Sequence, residues 1–131
     1  MDRMDMRIDV ERLEPGAVLS TGRGTSSADL AAGVLRGREY ASWRTALEDD
    51  VVEAAEQEGG KHRLARILRS CNLDRQTEAH FEACAKRYRL SGRGITKTLA
   101  VARTIADMAE SPKVTWDHLA EALLYRVGEC W

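Results

Sequence analysis

Aromatic residues are scarce: three Trp, three Tyr and one Phe in 131 residues. A core must therefore come from Leu, Val, Ile and Ala, a diet that favours helices. Cysteine is also sparse, and Cys71, Cys84 and Cys130 are odd in number and widely spaced, which argues against a disulfide framework. His62, His80 and His118 make no ligand spacing with them, so no metal site is expected. No apolar run approaches the roughly 20 residues needed to span a bilayer. The opening MDRMDMRIDVERLEPG has neither an apolar stretch nor a small-residue cleavage site of the secretory kind. A cytoplasmic protein without membrane contact is the expectation. An excess of either charge is missing as well, since 20 Lys+Arg face 21 Asp+Glu for a net charge of -1. A free-standing nucleic-acid binder normally shows a marked basic excess, so any such role must be local.

What the chain does have is helical pattern. Ser26 or Ser27 opens a helix with Asp29 near the acidic position of a capping box, and Leu30, Val34, Leu35 and Tyr40 are expected on its buried side. Lys61 to Ser70 predicts a short helix with Leu64, Ile67 and Leu68 inward, set off by Gly59-Gly60. Asp74 caps a helix lined by Phe81, Cys84, Ala85 and Tyr88. Ser91 caps the next, whose stripe is Ile95, Leu99, Ala102, Ile105, Ala106 and Ala109. Ser111-Pro112 ends it, and Thr115 caps a last helix with Trp116, Leu119, Ala120 and Leu123 inside. Before all of these, Met6, Ile8 and Val10 alternate like a half-buried strand with no partner strand in the chain, and residues 14–25 read as a loop. The fold class is all-α, a helical bundle with a stray N-terminal extended segment.

Charge is distributed unevenly along this pattern. From Cys84 to Thr104 the chain carries Lys86, Arg87, Arg89, Arg93, Lys97 and Arg103 with no acid, while Ala46 to Glu58 carries six acids and no base. The acidic block is either a solvated face or the partner of the basic stretch. Two segments tempt a phosphate-loop reading, GGKHR from Gly59 and GRGITKT from Gly92. Neither has the required G-x-x-x-x-G-K-[ST]. No nucleophile with a base can be assembled, so these residues alone are expected to catalyse nothing. Arg93 stands differently, in the first turn of a helix, where free N–H groups and the positive dipole end favour an anion. It is either an exposed cation or a phosphate contact. Lys97 lies one turn on, and Arg103 is about 100° round from the face those two would share. The order of expectation is Arg93, Lys97, Arg103.

LSGRGITKTLAVARTIADMAES (90–111) followed by HLAEALLYR (118–126) resembles the C-terminal lid of the magnesium-chelatase-like AAA+ ATPases, most closely the ComM/YifB branch. DRMDMRIDVERL, TSSADLAAGVLRGRE and CNLDRQTEAHFEACAKRYRLS extend the resemblance over nearly the whole chain, with residues 46–60 the least similar. The resemblance implies that residues 1–24 end an AAA+ α/β core and that 25–131 form the helical lid, the Walker motifs lying upstream. It implies ATP and Mg2+ for the whole parent, with none held tightly by these residues. The implied partners are the chain's own core, neighbouring subunits in a ring homo-oligomer, and DNA. Arg93 matches the sensor-2 arginine, which reaches the nucleotide phosphates of its own subunit, and Arg3 in DRMD matches the arginine finger offered to a neighbour's ATP. Ala100 departs from the family, which often has a further arginine there. The implied function is an Mg-ATP-dependent motor working in DNA branch migration or helicase action during recombination or transformation. A chelatase motor driving magnesium into a porphyrin shares the same lid. A non-enzymatic helical interaction module is the reading from a different class.

Overall fold

The computed structural model describes residues 3–19, 24–52 and 61–127. Six helices occur among them: α1 (Pro15–Leu19), α2 (Ser27–Val52), α3 (Lys61–Cys71), α4 (Arg75–Arg87), α5 (Gly92–Met108) and α6 (Trp116–Val127). α5 is the centre, packed by α2, α3 and α6, while α4 leans on α6. Leu99, Ala102 and Ala106 of α5 meet Leu119, Ala122 and Leu123 of α6, and Phe81, Cys71 and Val114 close the core. Small alanines on both facing stripes let these two helices approach closely.

Caps set the helix starts. Asp74 accepts a hydrogen bond from the Thr77 N–H at 2.7 Å, and Ser91 Oγ accepts from the Gly94 N–H at 3.0 Å. The start of α6 is reversed in chemistry: His118 Nδ1 accepts from the Thr115 N–H at 3.0 Å, doing what Glu does in a capping box. α4 and α5 both end in a left-handed residue, Arg89 (φ 51°) and Glu110 (φ 52°). The following N–H groups reach back to the Ala85 and Ala106 carbonyls, at 3.0 and 2.8 Å, so both are Schellman closures without the usual glycine.

Several expectations need correction. Residues 6–13 form no strand; they run extended and exposed, and Arg7 N–H donates to the Tyr125 carbonyl at 2.8 Å. The expected loop from Glu14 contains α1, begun by Pro15 at the position where a missing N–H costs nothing. Leu30, Val34 and Leu35 are exposed rather than buried. Gly37 is buried instead, and a Cβ there would stand 2.9 Å from Met108 Cγ. α2 thus crosses α5 on a glycine at the last residue of α5, and the leucines before it run past the end of the bundle. Leu68 and Ala109 also face solvent. Gly59-Gly60, Cys130 and the acids from Glu53 to Glu58 lie outside the described residues, and so does any test of the acidic block as a partner. No helix among the described residues is long and apolar enough to cross a membrane.

Leu99 is fully buried at the point where α3, α5 and α6 meet. Leu99→Ala is expected to cost about 2–5 kcal/mol of unfolding free energy, read from the midpoint of a urea transition.

Candidate functional site

α3 and α5 run side by side in the same direction, so their starts converge. Arg63 and Leu64 from the first turns of α3 and Gly92, Arg93, Lys97 and Ala100 from α5 line one cleft of about 600 Å³, with Asp5 at its edge. Two helix N-termini lie there, and the positive dipole end of each favours an anion. The Ser91 cap fixes the first turn of α5 and hence where Arg93 starts. Arg93 is exposed, and its guanidinium makes no ion pair or hydrogen bond with the described residues. The cleft therefore joins three cations to a single carboxylate.

Lys97 is already engaged. Its Nζ donates to Asp5 Oδ1 at 2.8 Å and to the Arg3 carbonyl at 3.1 Å. Arg3 itself is exposed, and only its main chain is held. The Lys97 ammonium, by its hydrogen bond and then its charge, holds the Asp5 carboxyl below the usual carboxylate value, with Arg126 and Arg63 acting the same way. A lowered folded-state value means that the contact is fully present above the ordinary carboxylate range and is lost as pH falls through the lowered one.

Arg103 is not brought to this cleft. It is buried, with Nη1 donating to the Ser70 carbonyl at 2.7 Å and the Pro112 carbonyl at 3.3 Å, and Nη2 donating to the Ser111 carbonyl. Nη2 also pairs with Asp107 Oδ1 at 3.0 Å, and Arg44 grips the same carboxylate through Nε and Nη2, both at 2.9 Å. This guanidinium closes carbonyls at the end of α3 and in the α5–α6 loop, so it is structural. The reason is its position: a residue about 100° round from the Arg93–Lys97 face of the central helix faces other protein, not solvent.

Arg63 was not among the residues singled out in the sequence. Its signal was faint, a lone arginine just after a failed phosphate-loop pattern. For a metal, the described residues offer no group of three or more His, Cys, Asp or Glu. The donors in the cleft are guanidinium and ammonium groups, which suit phosphate oxygens and repel a divalent cation.

The helical bundle is of the kind that forms the lid of AAA+ proteins, as the family match supports. The chain belongs to the family described as magnesium chelatase, subunit ChlI C-terminal, whose model matches residues 24–126. It is similar to the competence protein ComM of Haemophilus influenzae, 33% identical over 127 residues, covering 96% of this chain and 23% of that protein. It is also similar to the uncharacterized protein YifB of Escherichia coli, 30% identical over 127 residues with the same coverage of 96% and 23%. The chain thus spans about a quarter of the length of these relatives.

Two outcomes follow from the geometry. In a carboxyl carbon NMR titration, Asp5 should titrate below 3.8, and Lys97→Met should return it towards that value; an unmoved midpoint would contradict the pairing. Arg103→Met should lower stability by about 3 kcal/mol, read from the midpoint of a urea transition, because buried carbonyls and Asp107 lose partners.

Proposed function

We propose that the chain is the lid and sensor-2 module of an oligomeric Mg-ATP-dependent AAA+ motor that works on DNA, in branch migration or unwinding. The observation that carries this reading is Arg93: an uncommitted guanidinium in the first turn of α5, beside Arg63 and Lys97 in one cleft. Arg93 would fork onto phosphate oxygens, which a planar guanidinium matches in two places at once. Lys97 adds a point charge one turn further on. Placed where negative charge accumulates during phosphoryl transfer, such groups lower the barrier without reorganising. Mg2+, when bound with ATP, neutralises phosphate oxygens; its ligands come from residues other than these. Arg3 is assigned to the ATP of a neighbouring subunit, so activity requires a ring. An arginine supplied in trans contributes about 10³–10⁵ in rate in related reactions.

The DNA role rests on the likeness to a competence protein. A chelatase motor inserting magnesium into a porphyrin would use the same lid, and the family description supports keeping it as the second reading. Turnover stimulated by DNA favours the first; turnover indifferent to DNA but stimulated by a porphyrin-binding partner favours the second. A non-enzymatic interaction module would instead self-associate in a salt-sensitive way and ignore nucleotide.

The direct test uses the chain joined to its AAA+ core. Arg93→Ala should reduce ATP turnover at least tenfold while leaving the thermal midpoint of the 131-residue chain within about 2 °C, because the exposed side chain supports no packing. Unchanged turnover would remove Arg93 from the phosphate site.

A further inference from the structure

Residues 3–7 lie as a strap across the start of α5 and the end of α6, and two different kinds of contact hold them. One kind is main-chain. Arg126 Nη2 donates to the Met4 carbonyl at 2.6 Å and the Asp5 carbonyl at 3.3 Å, and Arg7 N–H donates to the Tyr125 carbonyl at 2.8 Å. These acceptors are neutral, and Arg126 is buried, so an anion in solution has little to compete for. The other kind is ionic. Lys97 Nζ holds the Asp5 carboxylate and the Arg3 carbonyl at the edge of the cleft. The Lys97 side chain is 20% exposed and that of Asp5 is 72% exposed, so this pair sits where an anion can reach it.

Asp5 is the one carboxylate among the residues lining the cleft, opposed by Arg63, Arg93 and Lys97. Arg126 and Arg63 also act on its charge. A polyphosphate seated on Arg93 would bring several negative charges beside that carboxylate and would offer Lys97 a more highly charged acceptor. Carboxylate and phosphate repel each other at this range, and only one of them can keep the ammonium. The main-chain anchor at Met4 would survive the exchange, because none of its groups belongs to the cleft.

Resting on the phosphate reading of the cleft given above, we propose that residues 3–5 form an anion-displaced latch. A polyphosphate bound by Arg63, Arg93 and Lys97 takes Lys97 from the Asp5 carboxylate and the Arg3 carbonyl, and so releases Arg3 while Arg126 keeps the strap attached. The empty cleft parks Arg3 against its own subunit. The filled cleft frees it to reach outward. The two arginines that the sequence places ninety residues apart are thereby coupled through one lysine.

Calorimetric titration of sodium tripolyphosphate into the 131-residue chain at low salt tests this, with Asp5→Asn, Asp9→Asn and Arg93→Ala beside the unaltered protein. Asp9 is exposed, so its variant makes the same change in net charge without touching the latch. Asp5→Asn should bind about three- to tenfold more tightly than the unaltered chain, Asp9→Asn less than about twofold more tightly, and Arg93→Ala at least tenfold more weakly. At saturation the Asp5 carboxyl carbon should titrate as a free carboxylate. Saturable binding with equal affinity for Asp5→Asn and Asp9→Asn, and an Asp5 midpoint unmoved by the anion, would overturn the latch and leave the cleft standing. No saturable binding in either the unaltered chain or Asp5→Asn would overturn the phosphate reading itself, and the latch with it.

Discussion

The Arg103–Asp107–Arg44 cluster is what the rest of the arrangement depends on. Two guanidinium groups share one buried carboxylate, and that of Arg103 also closes carbonyls of Ser70, Ser111 and Pro112. Every connection made there involves α5: α2 through Arg44, the end of α3 through Ser70, and the turn into α6 through Ser111 and Pro112. Buried charge is costly unless it is paired and hydrogen-bonded, and here the paired groups satisfy backbone carbonyls near helix ends. Within the cluster, Arg103 Nε is left buried without a hydrogen bond among the described residues.

The same cluster governs the cleft at a distance. Helices are stiff rods with a rise of about 1.5 Å per residue, so fixing the end of α3 against the middle of α5 also fixes where the two helices begin. Arg63 and Arg93 face one space because Ser70 and Arg103 are tied. The cations of α5 have therefore divided their work by position. Arg103, turned inward, holds the bundle, Lys97 holds the strap, and Arg93 at the exposed first turn holds nothing among the described residues. A chain with near-zero net charge can in this way keep a locally positive site, which is the feature the acid-free stretch from Cys84 to Thr104 announces.

The parts that were legible in the sequence are those governed by local rules. Asp74 and Ser91 cap their helices because an oxygen two or three residues ahead of a free N–H needs no tertiary information. The α5 and α6 stripes, Ala109 apart, read correctly for the same reason, since period and small side chains are written in order. Most of the failures involve distant partners. In the sequence Arg103 reads as a third phosphate contact because the carbonyls it satisfies belong to Ser70, 33 residues away, and to a loop that cannot be drawn from periodicity. α2 looked like a leucine-faced helix, yet it meets α5 through Gly37 and Arg44, so its leucines are left outside. Met6 to Val10 alternate as a strand would, but alternation supplies no ladder, and it is the Arg7 N–H, donating to the Tyr125 carbonyl, that ties the segment to α6. Arg63 entered the site only through the parallel alignment of two helices, which no spacing in the sequence encodes.

The central claim is that phosphate-bearing anions bind where α3 and α5 begin. Mapping amide shifts of the nitrogen-15-labelled chain during addition of tripolyphosphate tests it most directly. The account predicts saturable shifts concentrated on Arg63, Leu64 and Gly92 to Lys97, with Ser70, Arg103 and Asp107 unmoved. Shifts spread over the exposed lysines and arginines and growing linearly with anion concentration would contradict it.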